Sequence, residues 1–279
     1  MAFRARRQQP HISFGPARPR SWVGVPGVGV AGVGVAAILV ASIAALAPGG
    51  SARADDFTPD QRKAIEAIVR DYLMKNPEIL IDAFQVAEEK IKSDAHDKAA
   101  QALIERHRDI YEDPDSPIAG NPNGDVSLVE FFDYRCPYCK QVEPALEALI
   151  AQDQKLRIIY KEFPVLGAQS VVASRAALAA RKQGKYDAFH AAMMAVKGQL
   201  GEATVFTVAA SVGIDVERLK LDMAAPETDR ALKATSELAD ALEIRGTPAF
   251  IIGKHIIPGA VDLNTLRRLI AEARGKSGG

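Results

Sequence analysis

A change of periodicity around two cysteines restricts the fold more than any other feature of the chain. Val126-Ser127-Leu128-Val129-Glu130-Phe131-Phe132 is an apolar, β-favouring run of strand length. It leads into Cys136-Pro137-Tyr138-Cys139, after which Val142, Leu146, Leu149 and Ile150 fall on one helical face. A strand that passes into a helix through a short turn sets its first cysteine at the helix N-terminus. Unpaired N–H groups and the positive end of the helix dipole favour a thiolate there, so Cys136 is expected to be the nucleophile. Pro137 fits the first turn, where its missing N–H costs nothing. Cys139 lies within reach of a mixed disulfide on Cys136 and is read as the resolving thiol.

Two other uses of the pair fit less well. A crosslink from i to i+3 closes a very short loop and restricts the unfolded chain little. A structural zinc site takes four ligands, whereas one C-x-x-C supplies two. These are the only cysteines, and no His pair stands at ligand spacing. Redox chemistry is therefore the preferred reading, with the redox-active disulfide Cys136-Cys139 in place of a cofactor and no metal.

Residues 1–54 read as an export signal. They hold six arginines and no Asp or Glu, so the rest of the chain is net acidic although the whole is balanced at 35 basic against 35 acidic residues. A basic stretch to Trp22 precedes an apolar one from Val23 to Ala47, then Ala52-Arg53-Ala54, a small-x-small site with cleavage expected after Ala54. An uncleaved anchor helix is the alternative, weakened by the glycines and proline of the apolar stretch. Export implies an oxidising compartment, the periplasm, in which disulfides persist. No basic stripe with interleaved aromatics is present, so nucleic acid is not an expected partner.

Residues 55–112 read as a helical segment. Thr58-Pro59-Asp60-Gln61 is a capping box with Pro at the first helical position. Ile65, Ile68, Val69, Tyr72 and Leu73 share a face, Asn76-Pro77 breaks the helix, and Leu80, Phe84, Ala87 and Ile91 form a coiled-coil-like seam. Ser93 to Arg108 is polar, with a thin stripe from Leu103, Ile104 and Ile110. A segment so thin in core residues is expected to bury Ile65, Val69, Leu73, Leu80, Phe84 and Ile91 against copies of itself. The turn-rich stretch from Asp113 to Gly124 reads as a linker between this segment and the C-terminal region. Residues 113–279 then give strand, helix, strand at Leu156 to Tyr160, a helical block over about residues 168–243, a hairpin around Gly253-Lys254 and a last helix from Leu263 to Ala273. That order is an α/β arrangement, helices over a small mixed sheet.

Pro248, in Gly246-Thr247-Pro248, stands where a strand may open with proline; a cis-proline loop beside the cysteines is the other reading. Glu130 sits in an apolar strand, and most such carboxylates point to solvent. Facing inward, it would have a raised pKa and could handle the proton of Cys139. His190, with Phe189, Met193 and Met194, reads as core rather than as a copper ligand, and His96 and His107 read as solvated.

Phe131-Phe132-Asp133-Tyr134-Arg135-Cys136-Pro137-Tyr138-Cys139, the helical insertion and Gly246-Thr247-Pro248 together resemble the bacterial DsbA-like family of disulfide oxidoreductases, over about residues 116–274. Tyr72-Leu73-Met74-Lys75-Asn76-Pro77-Glu78-Ile79-Leu80 is similar to the extension of its suppressor-of-copper-sensitivity C (ScsC) subgroup. The resemblance implies a thioredoxin-like core with an inserted helical domain, preceded by an N-terminal helical oligomerisation segment. It implies that Pro248 is cis, with Thr247 facing the cysteines, and that Glu130 is the family's buried acid. It implies a homotrimer, exported proteins with cysteines as substrates, and a membrane redox partner, a DsbD/ScsB-like reductase or a DsbB-like oxidase. Pro-Tyr replaces the Pro-His dipeptide familiar in DsbA, which favours a disulfide isomerase or reductase over a strong oxidase. A copper-binding thiol protein of copper tolerance is the reading from a different class, since soft thiolates suit Cu(I).

Overall fold

The structure, a computed structural model, describes residues 57–276, so the signal read at 1–54 lies outside the described residues. The chain divides into two compact units, residues 1–65 and 66–279. No helix among the described residues is long and apolar enough to cross a membrane.

In the first unit the capping box is formed reciprocally. The Thr58 N–H donates to Gln61 Oε1 at 2.9 Å, and the Gln61 N–H to Thr58 Oγ1 at 3.3 Å. Two orphan donors at the start of α1 (Pro59–Lys75) are thereby satisfied.

In the second unit α1 ends at Asn76, whose backbone N–H and side-chain amide both donate to the Tyr72 carbonyl. α2 (Glu78–Glu105) comes next and runs unbroken through the polar stretch. The apolar stripe of these helices is exposed: Ile68, Val69 and Tyr72 on α1, and Leu80, Phe84 and Ile91 on α2. The C-terminal end of the segment behaves differently. Ala102 on α2 and Ile110 on α3 (His107–Tyr111) are buried against the sheet. The expected separation of the helical segment from the rest is therefore not found at this end, because Ala102 and Ile110 join the buried cluster on one sheet face.

The sheet has five strands in the order β1-β3-β2-β4-β5. β2 (Val126–Phe132) runs parallel to β3 (Leu156–Glu162), joined through α4 (Pro137–Gln152). β4 (Ala249–Ile252) is antiparallel to β2 and to β5 (His255–Pro258). The hairpin is legible in the sequence. β1 (Ile118–Gly120), antiparallel to β3, falls in the stretch that reads as linker, because three residues flanked by Pro, Gly and Asn carry no period-two signal. Between β3 and β4 lie α5 (Ala168–Arg181), α6 (Tyr186–Ala195), α7 (Glu202–Ser211), α8 (Val216–Met223) and α9 (Pro226–Ala241). α5 touches the other four, and its buried side chains are small, five alanines and two serines. α10 (Leu263–Lys276) closes the chain.

Strand alternation sorts side chains to two faces. Leu128, Phe132, Ile158, Tyr160, Phe250 and Ile252 pack with α4, α6 and α10. Val129, Phe131, Ile159 and Ile251 pack with Ile110 and with Leu238 of α9. Lys161, fully buried on β3, donates from Nζ to the Asp109 carbonyl at 2.6 Å and to Asp113 Oδ2 at 2.8 Å. Burial pulls its pKa down and the Asp113 carboxylate opposes that shift.

Ile110→Ala is expected to cost about 2–5 kcal/mol by leaving a cavity over the sheet, read as a lower urea midpoint. A loss below about 0.5 kcal/mol, the scale of surface substitutions, would show that α3 is not part of the folding unit.

Candidate active site

β2 hands the chain to α4 through Asp133, Tyr134 and Arg135. Asp133 is fully buried and organises the turn. Its Oδ1 accepts from the Arg135 N–H at 2.8 Å and its Oδ2 from the Leu166 N–H at 2.9 Å, while its carbonyl accepts from the Cys136 N–H at 3.0 Å. Cys136 then stands in extended conformation as the N-cap of α4, with Pro137 in the first turn, as the spacing predicts. An Asp just before such a cysteine pair is weakly informative in a sequence, and no pattern there singles out Asp133.

Both cysteines are free thiols and buried, Cys136 at 4% exposure and Cys139 at 0%. The Cys136 Sγ lies 3.3 Å from the Thr247 carbonyl oxygen, bringing together segments distant in the chain. The Thr247–Pro248 peptide is cis. The Pro248 carbonyl accepts from the Gly259 N–H at 2.8 Å, which ties the loop to the β5 end. Tyr138, between the cysteines, is exposed.

Glu130 faces inward and is wholly buried, opposite Tyr160 on β3 and Phe250 on β4. The solvent-facing reading fails because β2 is covered on both faces and paired on both edges. Neither carboxylate oxygen has a hydrogen-bond partner. Burial pushes its pKa well above the ordinary carboxyl value, and the neighbouring Glu143, Cys136 and Glu162 add to the shift. The Cys139 thiol is also pushed well up, first by burial and next by the charge of Glu130. The sequence-derived residues Cys136, Cys139, Thr247, Pro248 and Glu130 thus converge on one end of β2.

Glu162 is a second buried acid on the same sheet face. Its Oε1 accepts from the Tyr134 hydroxyl at 3.1 Å and from the Tyr186 hydroxyl at 2.8 Å. Burial pushes its carboxyl up to about 8 against those hydrogen bonds. His190 is core, as its apolar neighbours predict, but it is polar core, with Nδ1 3.1 Å from the Tyr134 hydroxyl and Nε2 3.5 Å from Glu143 Oε1. His96 and His107 are exposed. Among the described residues no group of three or more His, Cys, Asp or Glu is arranged to hold a metal ion. A cavity of about 1020 Å³ lies between α2, α3 and β5, and none of the five converging residues lines it.

A dithiol at the start of the helix after a central parallel strand, facing an X–cis-Pro turn, defines a thioredoxin-like protein, here with a helical insertion before that turn. Residues 127–271 match the DSBA-like thioredoxin domain, and residues 61–92 match the N-terminal domain of the copper resistance protein ScsC. The chain belongs to the DSBA-like thioredoxin family. A linker-deletion mutant of Proteus mirabilis ScsC is 32% identical, over 79% of this chain and 98% of that one, at a TM-score of 0.61. A thioredoxin-like oxidoreductase of Silicibacter pomeroyi is 43% identical, over 60% of this chain and 97% of that one, at a TM-score of 0.59. The Na(+)/H(+) antiporter NhaA 1 of Salinispora arenicola is 27% identical over 58% of this chain, which spans only 25% of that protein's length.

The folded pKa of Glu162 lies above its ordinary value of 4.5, so folding holds a proton that the unfolded chain gives up. Its contribution is complete below about pH 4.5 and is lost as pH rises to about 8. Stability should fall across that window by an amount on the order of a few kcal/mol, and Glu162→Gln should flatten the fall. Parallel pH profiles of the urea midpoint for the two proteins would overturn the assignment.

Proposed function

We propose that the protein is a thiol–disulfide oxidoreductase of the periplasm that shuffles or reduces disulfides in exported proteins. The reading is carried by Cys136 Sγ, held at the N-terminus of α4 against the Thr247 carbonyl, with Cys139 buried behind it. The Cys136 thiolate attacks one sulfur of a substrate disulfide, forming a mixed disulfide and releasing one substrate thiolate. In isomerisation that thiolate attacks elsewhere in the substrate, and a substrate thiolate finally displaces Cys136 with no net electron transfer. In reduction Cys139 passes its proton to the Glu130 carboxylate and attacks Cys136 Sγ. The second substrate thiolate leaves and takes up a proton, the substrate gains two electrons and the dithiol becomes a disulfide. Burial pushes Glu130 up, which makes its carboxylate a stronger base than an exposed one, while burial of Cys139 holds its proton on until the transfer. Thr247 and Pro248 offer the edge along which an extended substrate lies.

Exposed Tyr138 and the Pro-Tyr dipeptide support the isomerase direction, with the dithiol kept reduced by a DsbD/ScsB-like membrane partner. The opposite direction, an oxidase recharged by a DsbB-like partner, differs in resting state: Cys136 and Cys139 are thiols in cells for the first and a disulfide for the second. Cys136→Ser should abolish insulin reduction and refolding of scrambled substrates alike. Cys139→Ala should accumulate thiol-sensitive mixed disulfides with exported proteins. Full insulin reduction by the Cys136→Ser protein would overturn the reading.

The exposed stripe supports assembly through residues 55–112 as a homotrimer. Light scattering on residues 55–279 should give a trimer, and the Phe84→Glu, Ile91→Glu double variant a monomer. The monomer should still reduce insulin and should have lost most isomerase activity, since several active sites no longer face one substrate. A monomeric unsubstituted protein would refute the trimer.

A further inference from the structure

The cavity between α2, α3 and β5 takes no part in the exchange steps. It lies at the end of β2 that carries Val126 and Ser127, whereas the dithiol follows the opposite end. Its volume of about 1020 Å³ is at the upper end for small-molecule sites, which run from roughly 300 to 1,000 Å³. All of its walls belong to one compact unit. The space follows from how the helical segment is anchored. Ala102 and Ile110 are buried against the sheet, and the Tyr111 hydroxyl donates to the Gly253 carbonyl at 3.2 Å. Before these ties, α2 presents Ala99, Ala100, Leu103 and Ile104 to the cavity, across from Val126 and Ile256. Alanine at two of these positions leaves a gap that longer side chains would close. The α2 wall from His96 to Ile104 is about 12 Å long, the length of a medium alkyl chain.

The charges around this space are unevenly matched. Each acid that lines it has a cation of its own: Glu112 lies 3.5 Å from Arg108, and Asp125 lies 2.8 Å from Arg274. The three imidazoles that line it, His96, His107 and His255, each stand within 3.8 Å of a carboxylate. Arg157 has no such match. Half-buried on β3, it donates from Nε to Ser127 Oγ at 2.9 Å and from Nη2 to the Tyr111 carbonyl at 3.2 Å. Both acceptors are neutral. Among the described residues no carboxylate pairs with Arg157, and its Nη1 has no acceptor. Drawing a guanidinium partly out of water without a counter-charge is unfavourable. Its planar fork, held in place by two fixed acceptors, matches a carboxylate. Lys254, on the turn between β4 and β5, is likewise without a carboxylate and adds to the positive field in the cavity.

We propose that this cavity is a second binding site, separate from the dithiol, for a small amphipathic anion. The carboxylate head pairs with Arg157, and the alkyl body lies along α2 against Leu103, Ile104 and Ile256. Two observations choose this class together. A wholly polar anion would leave the apolar trough wet, and a wholly apolar ligand would cut the guanidinium off from water with nothing in exchange. The ligand that satisfies both walls carries one negative group at one end. The site does not depend on the redox reading, because none of its residues touches Cys136, Cys139, Glu130, Thr247 or Pro248 in the exchange.

The test is calorimetric titration of residues 55–279 with laurate, kept below its micelle concentration. Laurate should bind at one site per chain. Dodecyltrimethylammonium has a like tail without the anion, and acetate has the anion without the tail; neither should bind. Ala100→Trp sets an indole in the trough and should abolish laurate binding. Arg157→Gln keeps a donor and removes the charge, and should weaken binding roughly tenfold. Insulin reduction by Ala100→Trp should match that of the unsubstituted protein, which separates this site from the dithiol. Laurate held instead on the exposed stripe of α1 and α2 would bind both variants unchanged. No heat with laurate, equal binding of dodecyltrimethylammonium, or an affinity unchanged in either variant overturns the proposal. A second copy of the chain seated in the cavity predicts the first of these results. If one variant does not fold, read from its melting curve, the other decides by the same criterion.

Discussion

β2 is hydrogen-bonded on both edges, to β3 and to β4, and packed on both faces. Nothing that it carries between Leu128 and Phe132 reaches water. The rest of the site depends on this one constraint. A glutamate at position 130 has no solvent-facing rotamer to adopt, so its carboxyl is buried whatever its chemistry. The chain leaving the strand must turn at once into a covering helix, which places Cys136 at that helix's start. The parallel pairing of β2 with β3 demands a crossover, and α4 is that crossover. The antiparallel pairing with β4 carries Thr247 and Pro248 to the same end of the sheet.

Much of this is legible in the residues. The cysteine spacing, the switch from strand to helix periodicity and the capping box at Thr58 are local signals, and the local structure obeys them. The inward side of Glu130 is not legible. Val126 to Phe132 is apolar on both faces, as a doubly covered strand must be, so alternation cannot say which way any residue points. Glu162 is hidden for the same reason on β3, and so is Lys161, an ammonium whose partners are a carbonyl and a carboxylate over forty positions away in the chain. His190 is legible as core from Phe189, Met193 and Met194. Its polar partners are Tyr134 in the turn after β2 and Glu143 on α4, and no pattern within α6 announces them. Asp133 belongs to a third kind: its role lies in backbone N–H groups, one of them at Leu166, and a loop contact of that sort leaves no trace in composition.

The helical segment shows how one amphipathic element serves two surfaces. Its end, with Ala102 and Ile110, is spent on the sheet and anchored further by Lys161 through Asp109 and Asp113. Its earlier part exposes Ile68, Tyr72, Phe84 and Ile91. Exposed large side chains scattered over a surface need no explanation, but a stripe at helical spacing does. The anchoring matters for what the stripe does. Helices docked through their own C-terminal end carry whatever their exposed face binds into a defined relation with the sheet, rather than on a free tether.

Electrostatics set the two cysteines apart. Cys139 is walled by apolar side chains and faces Glu130, so burial and negative charge both oppose its thiolate. Cys136 borders the Thr247 carbonyl at the edge of the site and caps a helix whose free N–H groups point toward it. Both thiols are buried, but Cys139 is wholly enclosed whereas Cys136 keeps 4% exposure beside the Thr247 carbonyl. Holding Cys139 back has a consequence for the kind of exchange the site supports. Under the proposed exchange, a mixed disulfide on Cys136 lasts as long as Cys139 stays protonated, and within that time a substrate thiolate can attack a different sulfur. Early loss of the Cys139 proton ends the encounter in reduction; late loss leaves room for rearrangement. Under the proposed exchange, the balance between the two outcomes rests on when Cys139 loses its proton, a loss that burial and Glu130 both oppose.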